Sequence, residues 1–206
     1  MSDDDNVLKL VILGEGRVGK TSILLQYFKN KFNEGQTSTV NPSFYEKTVN
    51  SGGKKFQLKF WDTAGQEQYN AISALYYQGA VGALILYDVS IFETFNKVKE
   101  WVKTLQEAVG KDIIFVIAGN KFDLSNKEEL SKNSAEIEAY CNKENCKHFY
   151  TSAKTRYQVE DTFDFFPWQK IKSFGNVANN LGCLMQSTAI IVTYKINIKF
   201  NYTLQV

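Results

Sequence analysis

Cysteine is scarce in this chain, with three in 206 residues at Cys141, Cys146 and Cys183. An odd number with no Cys-x-x-Cys pair excludes a disulfide framework and a thiolate zinc site, and it suits free thiols in a reducing cytosol. Histidine is scarcer still. His148 is the single one, and with no ligand partner at metal-binding spacing it reads as a structural residue of a strand. There is no block of like charge either: 24 basic and 22 acidic residues leave a net +2, which excludes a nucleic-acid surface and a polybasic membrane surface. The acidic start Met1-Ser2-Asp3-Asp4-Asp5-Asn6 lacks the basic-then-apolar order of an export signal. The late apolar stretch around Leu181 to Tyr194 is broken by Gln186, Ser187 and Thr188, short of the ~18 apolar residues a spanning helix needs. No internal repeat is present. These absences predict a cytoplasmic chain.

What is there is core. Hydrophobic residues make up 44% of the chain and aromatics 14%, enough for one α/β domain with an appended tail. From Val7 to about Phe166, strand-length apolar runs alternate with helix-length amphipathic segments, the pattern that covers both faces of a mostly parallel sheet. Strands are predicted over Leu8–Leu13, Phe44–Val49, Gln57–Trp61, Ala83–Tyr87, Ile113–Ala118 and His148–Thr151. Helices are predicted over Lys20–Lys29, Gln68–Tyr77, Phe92–Ala108 and Ser134–Asn145, with a weaker one from Val159. Ser51-Gly52-Gly53-Lys54 carries hairpin-turn chemistry, so one edge pair is antiparallel. The expected fold is a six-stranded, mostly parallel sheet flanked by about five helices, with its ligand across the loops at the strand C-terminal ends.

The first strand runs into Gly14-Glu15-Gly16-Arg17-Val18-Gly19-Lys20-Thr21, which fits the phosphate-loop pattern G-x-x-x-x-G-K-[ST] in its strand-loop-helix setting. Its glycines let backbone N–H groups curl round phosphates, the helix N-terminus adds partial positive charge, Lys20 reaches the terminal phosphates and the Thr21 hydroxyl can hold Mg²⁺. The third strand ends in Asp62-Thr63-Ala64-Gly65-Gln66-Glu67: a carboxylate for Mg²⁺ through water, a glycine N–H for the γ-phosphate and a glutamine to orient water. The fifth ends in Asn120-Lys121-Phe122-Asp123. Guanine presents N1–H and its N2 amino group side by side to one carboxylate, whereas adenine would leave the Asp123 charge unpaired. This pattern rules against an adenine-specific P-loop ATPase or kinase.

With these motifs in order over residues 7 to 166, the chain resembles the Ras-like small GTPases, a P-loop NTPase family. The resemblance implies that Asn120, Lys121 and Asp123 read the base together with Ser152, Ala153 and Lys154, the Ala153 N–H meeting the guanine oxygen. It implies that Phe32 packs on the base and that Thr39, nineteen residues after Lys20, completes Mg²⁺ coordination with Thr21 and Asp62. Glu15, Gly16, Val18, Gly19, Lys20, Thr21 and Ser22 would surround the phosphates, and Gln66, Lys20 and Gly65 would carry catalysis. Within the family the segments Trp61-Asp62-Thr63-Ala64-Gly65-Gln66-Glu67, Tyr76-Tyr77-Gln78-Gly79-Ala80 and Leu86-Tyr87-Asp88-Val89 are most similar to the Rab branch. Asn30-Lys31-Phe32-Asn33 and Val98-Lys99-Glu100-Trp101-Val102 resemble its early-endosomal group that includes Rab five and Rab twenty-one. The implied function is a GTP-hydrolysing switch in endosomal vesicle trafficking, served by an exchange factor, a GTPase-activating protein and effectors. Phe44, Trp61 and Tyr76 match the Rab effector triad, and as strand aromatics they fit a core role equally. Arg17 reads as a solvent-facing charge, so the catalytic arginine is expected from a partner.

The organisation expected is an acidic extension over 1–6, a GTPase domain over 7–166 and an atypical tail over 167–206. Pro167 should end the closing helix near Phe166, since proline in a helix interior costs about 3 kcal/mol. The tail alternates apolar residues from Ile190 to Val206 and reads as a translated intron, a shifted frame or an alternative isoform end. Cys183 lies 23 residues from the last residue, outside any prenylation position, so membrane attachment is expected to be indirect or absent unless the native C-terminus carries lipid. The competing reading is a guanine-nucleotide scaffold that hydrolyses poorly.

Overall fold

In the computed structural model the described residues are 6–37, 39, 43–62, 77–167 and 169. The chain divides into two units, Met1–Gln169 and Lys170–Val206. The second unit lies outside the described residues, and so do Gly65, Gln66, Tyr76 and nearly all of the predicted helix Gln68–Tyr77.

Six strands form one sheet in the order β2-β3-β1-β4-β5-β6. They are β1 (Val7–Leu13), β2 (Ser43–Ser51), β3 (Lys54–Asp62), β4 (Gly82–Asp88), β5 (Ile114–Asn120) and β6 (Lys147–Tyr150). Only the β2–β3 pair is antiparallel. Gly52 and Gly53 at φ 55° and 74° close it, the two left-handed positions a two-residue type I′ hairpin requires. Because that turn places Ser51 opposite Lys54, the ladder continues to the turn, two residues beyond the predicted end of β2.

Among the described residues there are four helices: α1 (Lys20–Lys29), α2 (Glu93–Val109), α3 (Lys127–Glu144) and α4 over 159–167. The period-two burial of the strands feeds two cores. On one face Val11, Leu13, Ala83, Ile85, Phe115 and Ile117 pack with Phe95, Val98, Val102 and Leu105 of α2 and Ile137 of α3. On the other, Tyr27 of α1 stacks on Phe163 of α4 with ring centroids 4.0 Å apart, and Phe163 meets Phe60 of β3 edge-on.

Two expectations are corrected. Helix α3 starts at Lys127 rather than Ser134. Asn126 caps it, its side chain accepting the Glu128 N–H at 3.0 Å, with Glu128 and Glu129 in the first turn. Leu130 is the single apolar residue between Lys127 and Asn133, so apolar periodicity could not find that start, although the cap and the acids favour one. Helix α4 does not stop at Phe166: Pro167 and Gln169 are helical and Pro167 is buried. The lost donor to the Phe163 carbonyl is offset by burial of Val159, Phe163, Phe166 and Pro167 against the sheet.

Candidate functional site

The loop between β1 and α1 is shaped by its glycines. Gly14 has φ 135°, and a Cβ there would lie 2.3 Å from the Leu86 carbonyl oxygen; Gly19 has φ 96°, and its Cβ would lie 2.4 Å from the Asn120 Nδ2. Both positions combine a left-handed or related backbone with close approach, which only glycine accepts. Helix α1 begins directly after Gly19 with no side-chain cap and no acidic residue in its first turn. Its first internal bond runs from the Ile23 N–H to the Gly19 carbonyl, so the helix presents its positive end to the cleft. Lys20, only 6% exposed, folds back and donates to the carbonyls of Gly14 at 2.5 Å and Glu15 at 2.7 Å. Arg17 is exposed and lies on the wall of the cleft described below.

Beside Lys20 lies a cluster of oxygens. Thr21 Oγ1 donates to Asp62 Oδ2 at 2.7 Å. Its one hydrogen is thereby used, so it accepts from Thr39 Oγ1 at 2.6 Å. Asp62 is fully buried at the end of β3, and its Oδ1 has no hydrogen-bond partner. Burial raises the Asp62 carboxyl above its usual range, against the pull of the Thr21 hydrogen bond and the Lys20 charge.

The far end is built on Asn120. Its Nδ2 donates to the Val18 carbonyl at 2.9 Å. Its Oδ1 accepts the Ala153 N–H at 3.2 Å and the Thr151 hydroxyl at 3.4 Å. The Ala153 N–H, expected at the base oxygen, is thus turned to Asn120, the nearest acceptor on the adjoining strand end. Asp123 Oδ1 accepts from the buried Ser152 hydroxyl at 2.5 Å, and Ser152 Oγ accepts the Thr155 N–H at 3.0 Å. Lys121 takes a left-handed φ of 63° and reaches the Asp88 carboxylate at 2.5 Å. Lys154 pairs with Glu34 at 2.5 Å.

A cleft of about 700 Å³ joins the two ends, lined among others by Gly16, Gly19, Lys20, Thr21, Ser22, Phe32, Thr39, Asn120, Lys121, Asp123, Ala153 and Lys154. Residues predicted from four separate stretches of sequence therefore meet in one place. Glu15, Val18, Asp62 and Ser152 stand behind that lining and hold it through the bonds above. Sequence reasoning missed Glu34, Thr37 and Leu124 on the wall, which belong to no motif, and the role of Asp88 beneath Lys121, which the Leu86-Tyr87-Asp88-Val89 segment carries without signalling that contact. Away from the cleft, Phe44 and Trp61 face each other across β2 and β3 with ring centroids 5.3 Å apart. Phe44 is 47% exposed, while Trp61 packs partly against the core.

The Ras family model matches residues 9–171. Ras-related protein Rab-21 of Mus musculus is 44% identical over 155 residues, which are 75% of this chain and 69% of that protein. Rab-21 of Homo sapiens is 44% identical over 75% of this chain and 68% of its own. Rab-21 of Dictyostelium discoideum is 42% identical over 163 residues, 79% of this chain and 76% of that protein. A glycine-shaped loop at a helix start and an Asn120–Asp123 end in one cleft, on a sheet of this topology, agree with that span of similarity: the chain belongs to the Ras family, as a Rab GTPase near Rab-21 that acts as a switch in vesicle trafficking.

Proposed function

We propose that the cleft binds guanine nucleotide with Mg²⁺, that the chain hydrolyses GTP slowly to GDP and phosphate, and that this cycle serves endosomal trafficking. One observation carries the reading. A single cleft has a buried lysine and an open helix N-terminus at one end and a positioned carboxylate, Asp123, at the other. Phosphates fit the first and the paired donors of guanine fit the second.

The oxygen cluster around Asp62 fits a metal ion. A buried carboxylate with one orphaned oxygen, two threonine hydroxyls within hydrogen-bond reach of one another and, among the described residues, no cluster of His or Cys ligands suit a hard divalent cation. Thr21 and Thr39 would hold Mg²⁺ directly and Asp62 through water. When bound, Mg²⁺ supplies positive charge against the β- and γ-phosphate oxygens. The rest belongs to this chain's own groups. Lys20 leaves the Gly14 and Glu15 carbonyls for the phosphates, and the N–H groups of Gly16, Gly19 and Ser22 receive their oxygens. Gly65 donates to the γ-phosphate, and Gln66 orients the attacking water. Phe32, 38% exposed at the rim, covers the base, with Lys121 and Lys154 on either side. With Arg17 read as a solvent-facing charge rather than an arginine finger, the rate stays near ~10⁻⁴ to 10⁻³ s⁻¹ by analogy with Ras.

Thr39 links state to surface. Its hydroxyl bond to Thr21 places the loop before β2 beside the phosphate loop; with Thr39 turned to Mg²⁺ and the γ-phosphate, loss of that phosphate would free the loop and alter what effectors meet at Phe44, Trp61 and Tyr76. The endosomal assignment rests on the likeness to Rab-21. Single-turnover hydrolysis of Mg²⁺-GTP by the full chain, beside Gln66→Leu, tests the enzyme. Slow turnover that drops at least about tenfold in the variant is expected. Tight binding with no turnover in either chain would replace the switch by a scaffold.

A further inference from the structure

Helix α3 ends in a six-residue C-cap that puts two cysteines side by side. Asn145 is left-handed at φ 51°, ψ 43°. The Cys146 N–H donates to the Cys141 carbonyl at 3.0 Å and the Asn145 N–H to the Asn142 carbonyl at 3.4 Å. This is the Schellman pattern of 6→1 and 5→2 bonds, in which the first and last side chains pack on each other. In most such caps that contact is between two apolar side chains; here it is thiol on thiol. The 3.0 Å bond limits the two Cα atoms to within about 7 Å, the span a disulfide can bridge. Both side chains belong to the same core cluster, Cys141 at 7% exposure and Cys146 packed against it. Cys146 is half-buried, so solvent reaches the pair from its side. The Cys146 thiol donates to the Cys141 sulfur, which lowers the Cys141 thiol below its usual range and raises that of Cys146. One sulfur of the pair is therefore biased toward thiolate, the reactive form.

We propose that Cys141 and Cys146 form a reversible dithiol–disulfide site that hydrogen peroxide closes and thiol reductants open. One sulfur, as thiolate, attacks an oxygen of the peroxide; the O–O bond breaks, hydroxide leaves and a sulfenic acid forms. The second sulfur attacks that sulfenic sulfur, the S–S bond forms, and hydroxide leaves and takes the remaining thiol proton as water. In sum two thiols are oxidised to one disulfide and one peroxide is reduced to two waters. The bridge would fasten the end of α3 to the start of β6, five residues ahead of Ser152. Neither cysteine belongs to the nucleotide motifs.

Trypsin separates the two cysteines, because Lys132, Lys143 and Lys147 place Cys141 in peptide 133–143 and Cys146 in peptide 144–147. The full chain, loaded with GDP, is treated with equimolar to tenfold hydrogen peroxide, its remaining thiols are alkylated, and it is digested without reduction for mass spectrometry. The expected result is a linked 133–143/144–147 pair two hydrogens lighter than the two free peptides, restored to separate peptides by dithiothreitol. The same treatment of Cys183→Ser should give the same pair, and Cys146→Ser, checked for unchanged circular dichroism, should give none. Irreversible sulfonic acid at Cys146 without the pair, alkylation of both thiols after oxidation, or linkage only to Cys183 would overturn the proposal.

Discussion

Asp123 is positioned by a hydroxyl, with the Lys154 charge close by. Its Oδ1 takes the Ser152 hydroxyl at 2.5 Å, and Ser152 is itself fixed by the Thr155 N–H. Beside it, Asn120 ties the Val18 carbonyl to the Ala153 N–H, so this end of the cleft is held to the loop after β1 by one side chain. The substitution Asp123→Asn keeps an oxygen to accept from Ser152, so the loop geometry survives. It replaces one carboxylate oxygen by an N–H₂ group, which would face the N2 amino group of a bound guanine donor to donor. Xanthine has a carbonyl oxygen at that position and pairs with the amide instead. We expect GTP affinity to fall by about 10²-fold or more and xanthine nucleotide affinity to rise. Competition against a fluorescent guanine nucleotide measures both, and a uniform loss for both bases would count against Asp123 as the base reader.

Two segments far apart in sequence meet over the cleft mouth. Glu34 follows Phe32 in the loop after α1, and Lys154 follows β6; their ion pair at 2.5 Å spans the edge where a base would enter. The Lys154 ammonium lowers the Glu34 carboxyl pKa by a hydrogen bond and by its charge. Because Glu34 is fully exposed to solvent, the pair is screened and its effect is small. Glu34→Ala should speed GDP release by less than about fivefold at low salt, and the difference should vanish near 1 M salt. A salt-independent change would mean that the loop itself, not the charge, had moved. No pattern in the sequence announces this pair, since 120 residues separate its members. The elements that carry the phosphate loop were legible because β1 is an apolar run, the glycines mark a turn that side chains cannot enter, and α1 follows with an amphipathic face. The hairpin was legible from Gly52 and Gly53. The start of α3 and the continuation of α4 through Pro167 were not, for the first is held by an Asn126 cap on a mostly polar turn and the second by burial that only the assembled core reveals.

At the scale of the molecule, stability depends on a histidine that the cleft does not use. His148 on β6 lies against Tyr150, edge-on at 4.6 Å between ring centroids, and its Nε2 shares a hydrogen bond of 3.1 Å with the Tyr87 hydroxyl of β4. Gly119 of β5, between them in the sheet, leaves room for that hydroxyl, since a Cβ there would lie 2.5 Å from it. Burial, helped by the Lys147 charge, pushes the His148 pKa down from 6.5 to about 4. The folded state therefore holds the ring neutral while the unfolded chain takes up a proton below pH 6.5. Stability from this group is present above pH 6.5 and is lost progressively as the pH falls through 6.5 toward 4. Between pH 7 and pH 5 the loss comes to at most about 2 kcal/mol, a noticeable share of the roughly 5–15 kcal/mol a domain of this kind possesses. His148→Gln keeps a polar partner for Tyr87 but does not titrate. Urea unfolding at pH 7 and pH 5 should show the parent chain losing more stability than the variant by about that amount, with the two curves converging toward the acid end. Parallel losses in both chains would assign the pH dependence to other groups, though not to the Asp164 carboxyl, which burial raises and which therefore gains stability as the pH falls.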